Sequence, residues 1–306
     1  MAVTDPATDA LRIPATRPGT RRRLPRLLAL VTRRKITLAG VVIMTLTLIT
    51  GLLAPLIAGN PTHMDVKARL TAPSAVHWFG TDDVGRDVYS RVVYGARLSL
   101  MVGAAVVLFA FVFGVSAGVA AGYYRPLDNA VMRVMDGLMA FPAIILAIAL
   151  MASLGPSVTN VIVAIGVVYT PRVARVVRGS VLVVRETAYV EAARALGIAD
   201  VGIIAKHVLP NCLSPVIVQG SFVFAAAVLT EAALSFLGVG VPPYVPSWGN
   251  ILSEGRLYIQ QAPWLVLYPG AAIMLTILGL NLFGDGVRDL LDPKIRGMAT
   301  ERQRAT

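Results

Sequence analysis

The chain has 306 residues, of which 56% are hydrophobic and 15% charged, with a mean hydropathy of +0.70 and a net charge of +11. A soluble domain carries roughly a quarter charged residues, so this balance excludes an ordinary water-soluble globule and points to lipid as the main solvent. The basic excess does not indicate a nucleic-acid partner, because the Lys and Arg residues lie between apolar stretches instead of forming one patch interleaved with aromatics.

Residues 1–35 read as a polar cytoplasmic segment whose Arg21, Arg22, Arg23, Arg26, Arg33, Arg34 and Lys35 suit an amphipathic lead-in against membrane lipid. A spanning helix needs roughly 20 apolar residues. The charge-free run 36–58 meets that length and is too long for a signal-peptide core, so it predicts a retained first span. Residues 59–97 form an extracytoplasmic loop. Further charge-free runs cover 98–122, 137–171, 208–230 and 257–284. The run 137–171 holds two spans, because Ser153-Leu154-Gly155-Pro156-Ser157, with Asn160 beyond, breaks a helix and turns the chain. The fourth span is short unless its helix continues past Pro171. The expectation is an all-α integral membrane protein of six spans: a first helix at 36–58, a core at 98–284 with a cytoplasmic loop at 172–211, and a cytoplasmic tail at 285–306.

Basic residues orient such a bundle, since they stay on the cytoplasmic side. With both ends inside, 22 of the 28 Lys and Arg fall on inner segments and six on outer ones. The single cysteine, Cys212, lies in an apolar run and can form no intramolecular disulfide. His63, His77 and His207 are too scattered for a metal site. Arg133 and Asp136 are spaced for a salt bridge on one helix face. Arg172, Arg175 and Arg178 suit anionic lipid or a partner surface. Gly40 and Gly51, like Gly103, Gly114 and Gly118, allow close helix approach. Glu231, near the outer end of the fifth span, has two readings: a lining of the pathway or gate, or an interfacial acid bonded to a neighbouring helix.

The loop 172–211 is the most informative stretch. Residues 186–196 favour helix and end at Gly197, a natural C-terminal cap. A second helix can start at Asp200 and run to His207 or Leu209 before Pro210. Ala192 and Ala193 leave one face with little bulk, which suits docking into a groove on another protein; a solvated hairpin packed on its own bundle is the alternative.

Glu191-Ala192-Ala193, three residues, Gly197, nine residues, then His207 followed by Leu209-Pro210 resembles the EAA loop of binding-protein-dependent ABC importer permeases. The general pattern has isoleucine where this chain has His207, and His207-Val208-Leu209-Pro210-Asn211 is similar to the peptide and nickel branch. Phe79-Gly80-Thr81-Asp82-Asp83-Val84-Gly85-Arg86-Asp87 resembles the outer loop of dipeptide and oligopeptide permeases. So do Leu234-Ser235-Phe236-Leu237-Gly238 after the fifth span and Asp292-Pro293-Lys294 near the end. The nearest likeness is to C-type dipeptide permease subunits.

The resemblance implies a type I importer permease in the bacterial cytoplasmic membrane, moving short peptides, with nickel complexes or haem as alternative cargo. It implies coupling to an ATPase through Glu191, Ala192, Ala193, Gly197, His207, Leu209 and Pro210, and docking of an extracytoplasmic solute-binding protein at Trp78, Asp82, Asp83 and Arg86. The implied partners are a second, B-type permease and one or two ATP-binding subunits. ATP and Mg would be held by those subunits and no cofactor by this chain. In agreement, none of the four lysines follows a glycine, so there is no phosphate-binding loop of the G-x-x-x-x-G-K-[ST] kind. A self-sufficient secondary transporter is the rival class; it would show inverted repeats or several ionisable groups at membrane depth, and the sequence shows no clear repeat and one marginal acid.

Overall fold

The computed structural model describes residues 35–291; the basic lead-in at Arg21 to Arg34 and the Asp292-Pro293-Lys294 stretch lie outside the described residues. Among the described residues the regular structure is helical, apart from one isolated bridge between Thr81 and Asp87. Five helices are long and apolar enough to cross a membrane, and a pair bent by 91° makes a sixth when counted as one span.

α1 (Lys35–Leu52) and the short α2 (Ala54–Ile57) divide the expected first span. The break falls where Pro55 has no N–H to offer the Gly51 carbonyl. α3 (Val88–Tyr123) begins well before the apolar run at 98, because Asp87 caps it, accepting from the Ser90 N–H at 2.8 Å and the Ser90 hydroxyl at 2.7 Å. α4 (Arg125–Met139) and α5 (Ala143–Leu154) meet at the 91° bend, a corner inside the apolar run from 137 that the sequence reading did not mark. Pro142 sits at that corner and disfavours helix at Phe141. The turn into α6 (Val158–Arg185) forms where the Gly/Pro/Ser cluster predicts it: Gly155 has φ +81° and the Ser157 hydroxyl accepts from the Asn160 N–H at 3.0 Å. α6 continues through Pro171 to Arg185, so the fourth span is not cut short at the proline.

After α7 (Ala188–Ala195) and α8 (Asp200–Ile203), the chain enters α9 (Leu209–Phe236), then α10 (Trp248–Gly255) and α11 (Trp264–Leu291). The second cytoplasmic helix was expected to stop before Pro210. Instead Ile204–Val208 forms a π-turn in which the Leu209 N–H donates to the Ile204 carbonyl, and the helix continues into the fifth span. The wider turn accommodates a proline that can neither donate nor tolerate the normal i−4 carbonyl.

α3 and α6 pack along much of their length. Gly114, Gly118 and Gly122 on α3 face Val173, Val177 and Val181 on α6. In lipid, where burial of apolar surface gives no driving force between helices, such close approach supplies dispersion contacts. A Cβ at Gly118 would lie 2.5 Å from the Ala174 carbonyl oxygen, a backbone atom that cannot move aside. Gly118→Leu is expected to destabilise the bundle by at least about 1–3 kcal/mol, seen as a lower midpoint in thermal unfolding of the detergent-purified protein. Gly103 meets the Phe224 ring, and Gly40 on α1 meets the backbone of Phe283 on α11. α1 turns Ile36, Leu46 and Leu52 outward, as a lipid-facing helix should.

A second cluster closes the outer end of the bundle. Val88, Val92 and Ala96 of α3 pack with Ala225 and Val228 of α9 and with Trp248 and Ile251 of α10. Trp248 is buried, and its indole N–H donates to the Val92 carbonyl at 2.9 Å.

Candidate functional site

α7 and α8 form a helical knob on the cytoplasmic side. Its turn is a Schellman motif: the Gly197 N–H donates to the Arg194 carbonyl at 3.0 Å and the Ile198 N–H to the Ala193 carbonyl at 3.1 Å. Gly197 has φ +75°, the left-handed backbone glycine tolerates best. The two alanines divide between two surfaces. Ala193, with Val190 and Ile203, is buried in the core, whereas Ala192 and Glu191 are exposed. At the tip Leu196 is 81% exposed and Val201 76%, beside Ile198. Exposed apolar side chains grouped at one tip form a surface that gains by being covered.

His207 sits beside the Tyr189 ring, 5.8 Å between centroids, and its carbonyl accepts from the Asn211 side chain at 2.6 Å. Leu209 and the exposed Pro210 lie at the join between π-turn and fifth span. The knob is fastened to the bundle at residues the sequence did not single out. The Tyr123 hydroxyl donates to Asp200 Oδ1 at 2.6 Å, and the Arg194 guanidinium lies 5.7 Å from the Tyr123 ring centre. Arg185 donates to the Gly122 carbonyl at 2.6 Å. The one local signal was the Tyr123-Tyr124 pair at the inner end of an apolar run.

The arginines of α6 are turned to α4. Arg178 binds Asp128 with both ends of its fork, at 2.5 and 2.7 Å, and Arg175 binds Asp136 at 2.7 Å. Asp136 therefore pairs across helices rather than with Arg133 on its own, and two of the three arginines are engaged within the chain. Arg172 lies 4.9 Å over the Tyr169 ring.

Glu231 is fully buried. Its carboxylate accepts from the Ser99 hydroxyl at 3.2 Å and the Ser235 hydroxyl at 2.9 Å, tying α3 to α9. With no accessible surface, it acts in this conformation as a bonded interhelical acid.

On the outer side, Asp82 has no exposed surface and Arg91 almost none. Asp82 Oδ2 accepts from Arg86 Nε and Arg91 Nη1, both at 2.6 Å. Glu254 of α10 accepts from Arg86 at 2.8 Å and from Arg91 at 2.5 and 3.2 Å. Burial works against the charge on Arg86, but Asp82 and Glu254 prevail and hold its guanidinium above the usual arginine value. The carboxylates of Asp82, Asp83 and Glu254 approach within 4.8 Å of one another, and the two guanidinium groups supply the countercharge there. Of the four residues expected at a docking surface, Asp82 and Arg86 thus face inward. Asp83 is partly exposed, and Trp78 is 62% exposed, resting on Tyr89 with 4.9 Å between ring centres.

The chain has named relatives. It is 47% identical over 266 residues to the dipeptide transport system permease protein DppC of Alkalihalophilus pseudofirmus, covering 86% of this chain and 88% of that one. It is 44% identical over 225 residues to the glutathione transport system permease protein GsiD of Pectobacterium atrosepticum, covering 73% and 75%. To the di/tripeptide transport system permease protein DppC of Pseudomonas aeruginosa it is 40% identical over 270 residues, covering 86% and 89%. Among solved structures, it is similar in fold to a chain of the inward-facing MetNI methionine ABC transporter, with a TM-score of 0.55 and 22% identity over 66% of this chain and 96% of the other. The family model for the binding-protein-dependent transport system inner membrane component matches residues 95–297, a stretch that holds the knob, the buried Glu231 and the helices fastening both. The chain belongs to that family of inner membrane transport components.

Proposed function

We propose that this chain is one permease half of an ATP-driven importer that carries short peptides across the bacterial cytoplasmic membrane. The observation that carries the reading is the knob: a rigid, Schellman-closed helical turn that presents Leu196, Ile198 and Val201 to the cytoplasm and joins the fifth span as one continuous helix of 37 residues. A separate ATPase subunit that covers this tip can move the fifth span directly. ATP and Mg reside in that subunit, a second permease completes the pathway, and an external binding protein delivers the solute. Closure of the ATPases around ATP then shifts the two permeases between inward and outward openings. Relatives named for dipeptides, di/tripeptides and glutathione support peptide cargo over nickel complexes or haem.

The test is purification of the complex from native membranes, reconstitution into liposomes, and uptake of a labelled dipeptide with and without ATP. ATP-dependent uptake that needs the binding protein supports the reading. Solute movement by this chain alone, driven by an ion gradient, overturns it in favour of a secondary transporter.

Trp78 is the residue of the outer loop best placed to meet the binding protein, since it is exposed and outside the ion cluster. Trp78→Ser is expected to raise the binding-protein concentration that half-saturates ATPase stimulation by roughly tenfold, the size of a modest interface anchor. Titration of the reconstituted complex reads this directly, and an unchanged midpoint removes Trp78 from the docking surface.

A further inference from the structure

α3 is a single helix of 36 residues, about 54 Å long at 1.5 Å per residue, and it is fastened at both ends. At the outer end Arg91 is held by Asp82 and Glu254. Near the outer third Ser99 bonds Glu231 of the fifth span. At the inner end Tyr123, itself largely buried, reaches the knob twice, once through Asp200 at the start of α8 and once through Arg194 at the end of α7. These two residues flank the Gly197 turn, so one aromatic ring contacts both arms of the knob. Arg185, at the end of α6, adds a bond to the Gly122 carbonyl one residue away.

We propose that Tyr123 is the residue that positions the coupling knob on α3, so that displacement of the knob by an ATPase moves α3 as a rod and reaches the extracytoplasmic ion cluster at its far end. The inference rests on the permease reading above and adds a route for the motion. The knob already continues into α9, which carries movement to the fifth span. The chain also joins the knob to α6 through residues 186–187; the Tyr123 contact adds a connection to α3, and α3 and α9 are tied again through Ser99 and Glu231. A knob joined only through the chain to α6 and α9 could hinge at residues 186–187 and at the π-turn 204–208; a knob also held at Tyr123 moves with α3. Tyr123 is buried whereas Leu196 and Val201 are exposed, so the residue acts through the knob and not by touching an ATPase.

The variants are Tyr123→Phe, which removes one hydroxyl and keeps the ring, and Asp200→Ala, which removes the acceptor, tested in the full complex in liposomes. ATP-dependent uptake by the unmodified complex is measured first; its absence is a failure of the permease reading and leaves the variants unneeded. Given uptake, solute moved per ATP hydrolysed is expected to fall about fivefold in Tyr123→Phe, the order of effect that loss of one hydrogen bond supplies. The ATPase subunits are expected to copurify in full amount. The double variant Tyr123→Phe/Asp200→Ala is expected to be no worse than the more impaired single change, because both break the same hydrogen bond. An unchanged ratio overturns the proposal. Loss of the ATPase subunits from Tyr123→Phe also overturns it, since the residue would then hold the knob's fold and not its position.

Discussion

Gly197→Asp is expected to reduce ATP-driven uptake by at least about tenfold and to release the ATPase subunits during purification. The expectation separates two properties of the position. Its φ of +75° favours glycine, yet aspartate is among the side chains that enter this region most readily. A Cβ added there meets no atom within 4 Å, so the turn itself survives. What changes is the surface. A carboxylate placed between Leu196 and Ile198 would be buried when a partner covers the tip, and an uncompensated charge in an interface costs about 2–5 kcal/mol, more than the tenfold criterion requires. Gly197→Asn is the control, being equal in shape and backbone tolerance but uncharged; it is expected to keep most of the uptake. Retention of the ATPases and of uptake in the aspartate variant would mean that the tip is not the docking surface.

The second large effect lies at the opposite end of the molecule. Arg91→Met is expected to destabilise the protein by about 3–5 kcal/mol, because removing one member of a buried ion cluster leaves the others without their countercharge. Asp82 is fully buried and accepts from two guanidinium groups through the same oxygen, so half of that compensation goes with Arg91. Glu254 loses both prongs of the Arg91 fork at once. Arg91→Lys is expected to recover little, since an ammonium cannot reproduce a planar fork. Converting Glu254 as well, in Arg91→Met/Glu254→Gln, is expected to restore part of the loss, because the Asp82–Arg86 pair that remains is balanced in charge. Thermal unfolding followed by tryptophan fluorescence reads the change, with buried Trp248 packed in the same outer cluster. A midpoint for Arg91→Met equal to that of the unmodified protein would show that the cluster is dispensable.

Hydropathy and basic-residue placement determined the class of this protein, the number of its spans and their orientation, because lipid forbids unpaired backbone and charge over a fixed thickness. The knob was also legible: Gly197 and Asp200 are local signals, and a Schellman turn is built from neighbours in the chain. Helix ends were less so. A count of apolar residues stops at charge, and α3 starts at Val88 because Arg91 is neutralised by Asp82, close in sequence, and by Glu254, which is remote. Proline was ambiguous for a similar reason: Pro142 marks a 91° corner, Pro171 sits inside an uninterrupted helix, and Pro210 follows a π-turn. Which outcome a proline takes depends on whether surrounding helices compensate the missing bond.

The placements not legible in the sequence all involve pairing at a distance. Asp136 has a suitable partner three residues away and binds Arg175 across helices instead; Asp82 and Arg86 look like surface charge and face inward; of the two readings of Glu231, its bond to Ser99 of α3 matches the acid held by a neighbouring helix. The sequence alone determined that this chain crosses the membrane, which way it faces, and where it turns at the knob, since those follow from solvent transfer and local backbone geometry. Only the tertiary structure decided which charges are spent inside the protein and that Tyr123 joins the knob to a helix running to the far side of the membrane, because a charged or hydroxyl group takes its partner from whatever the fold brings within about 3 Å, whatever its distance along the chain.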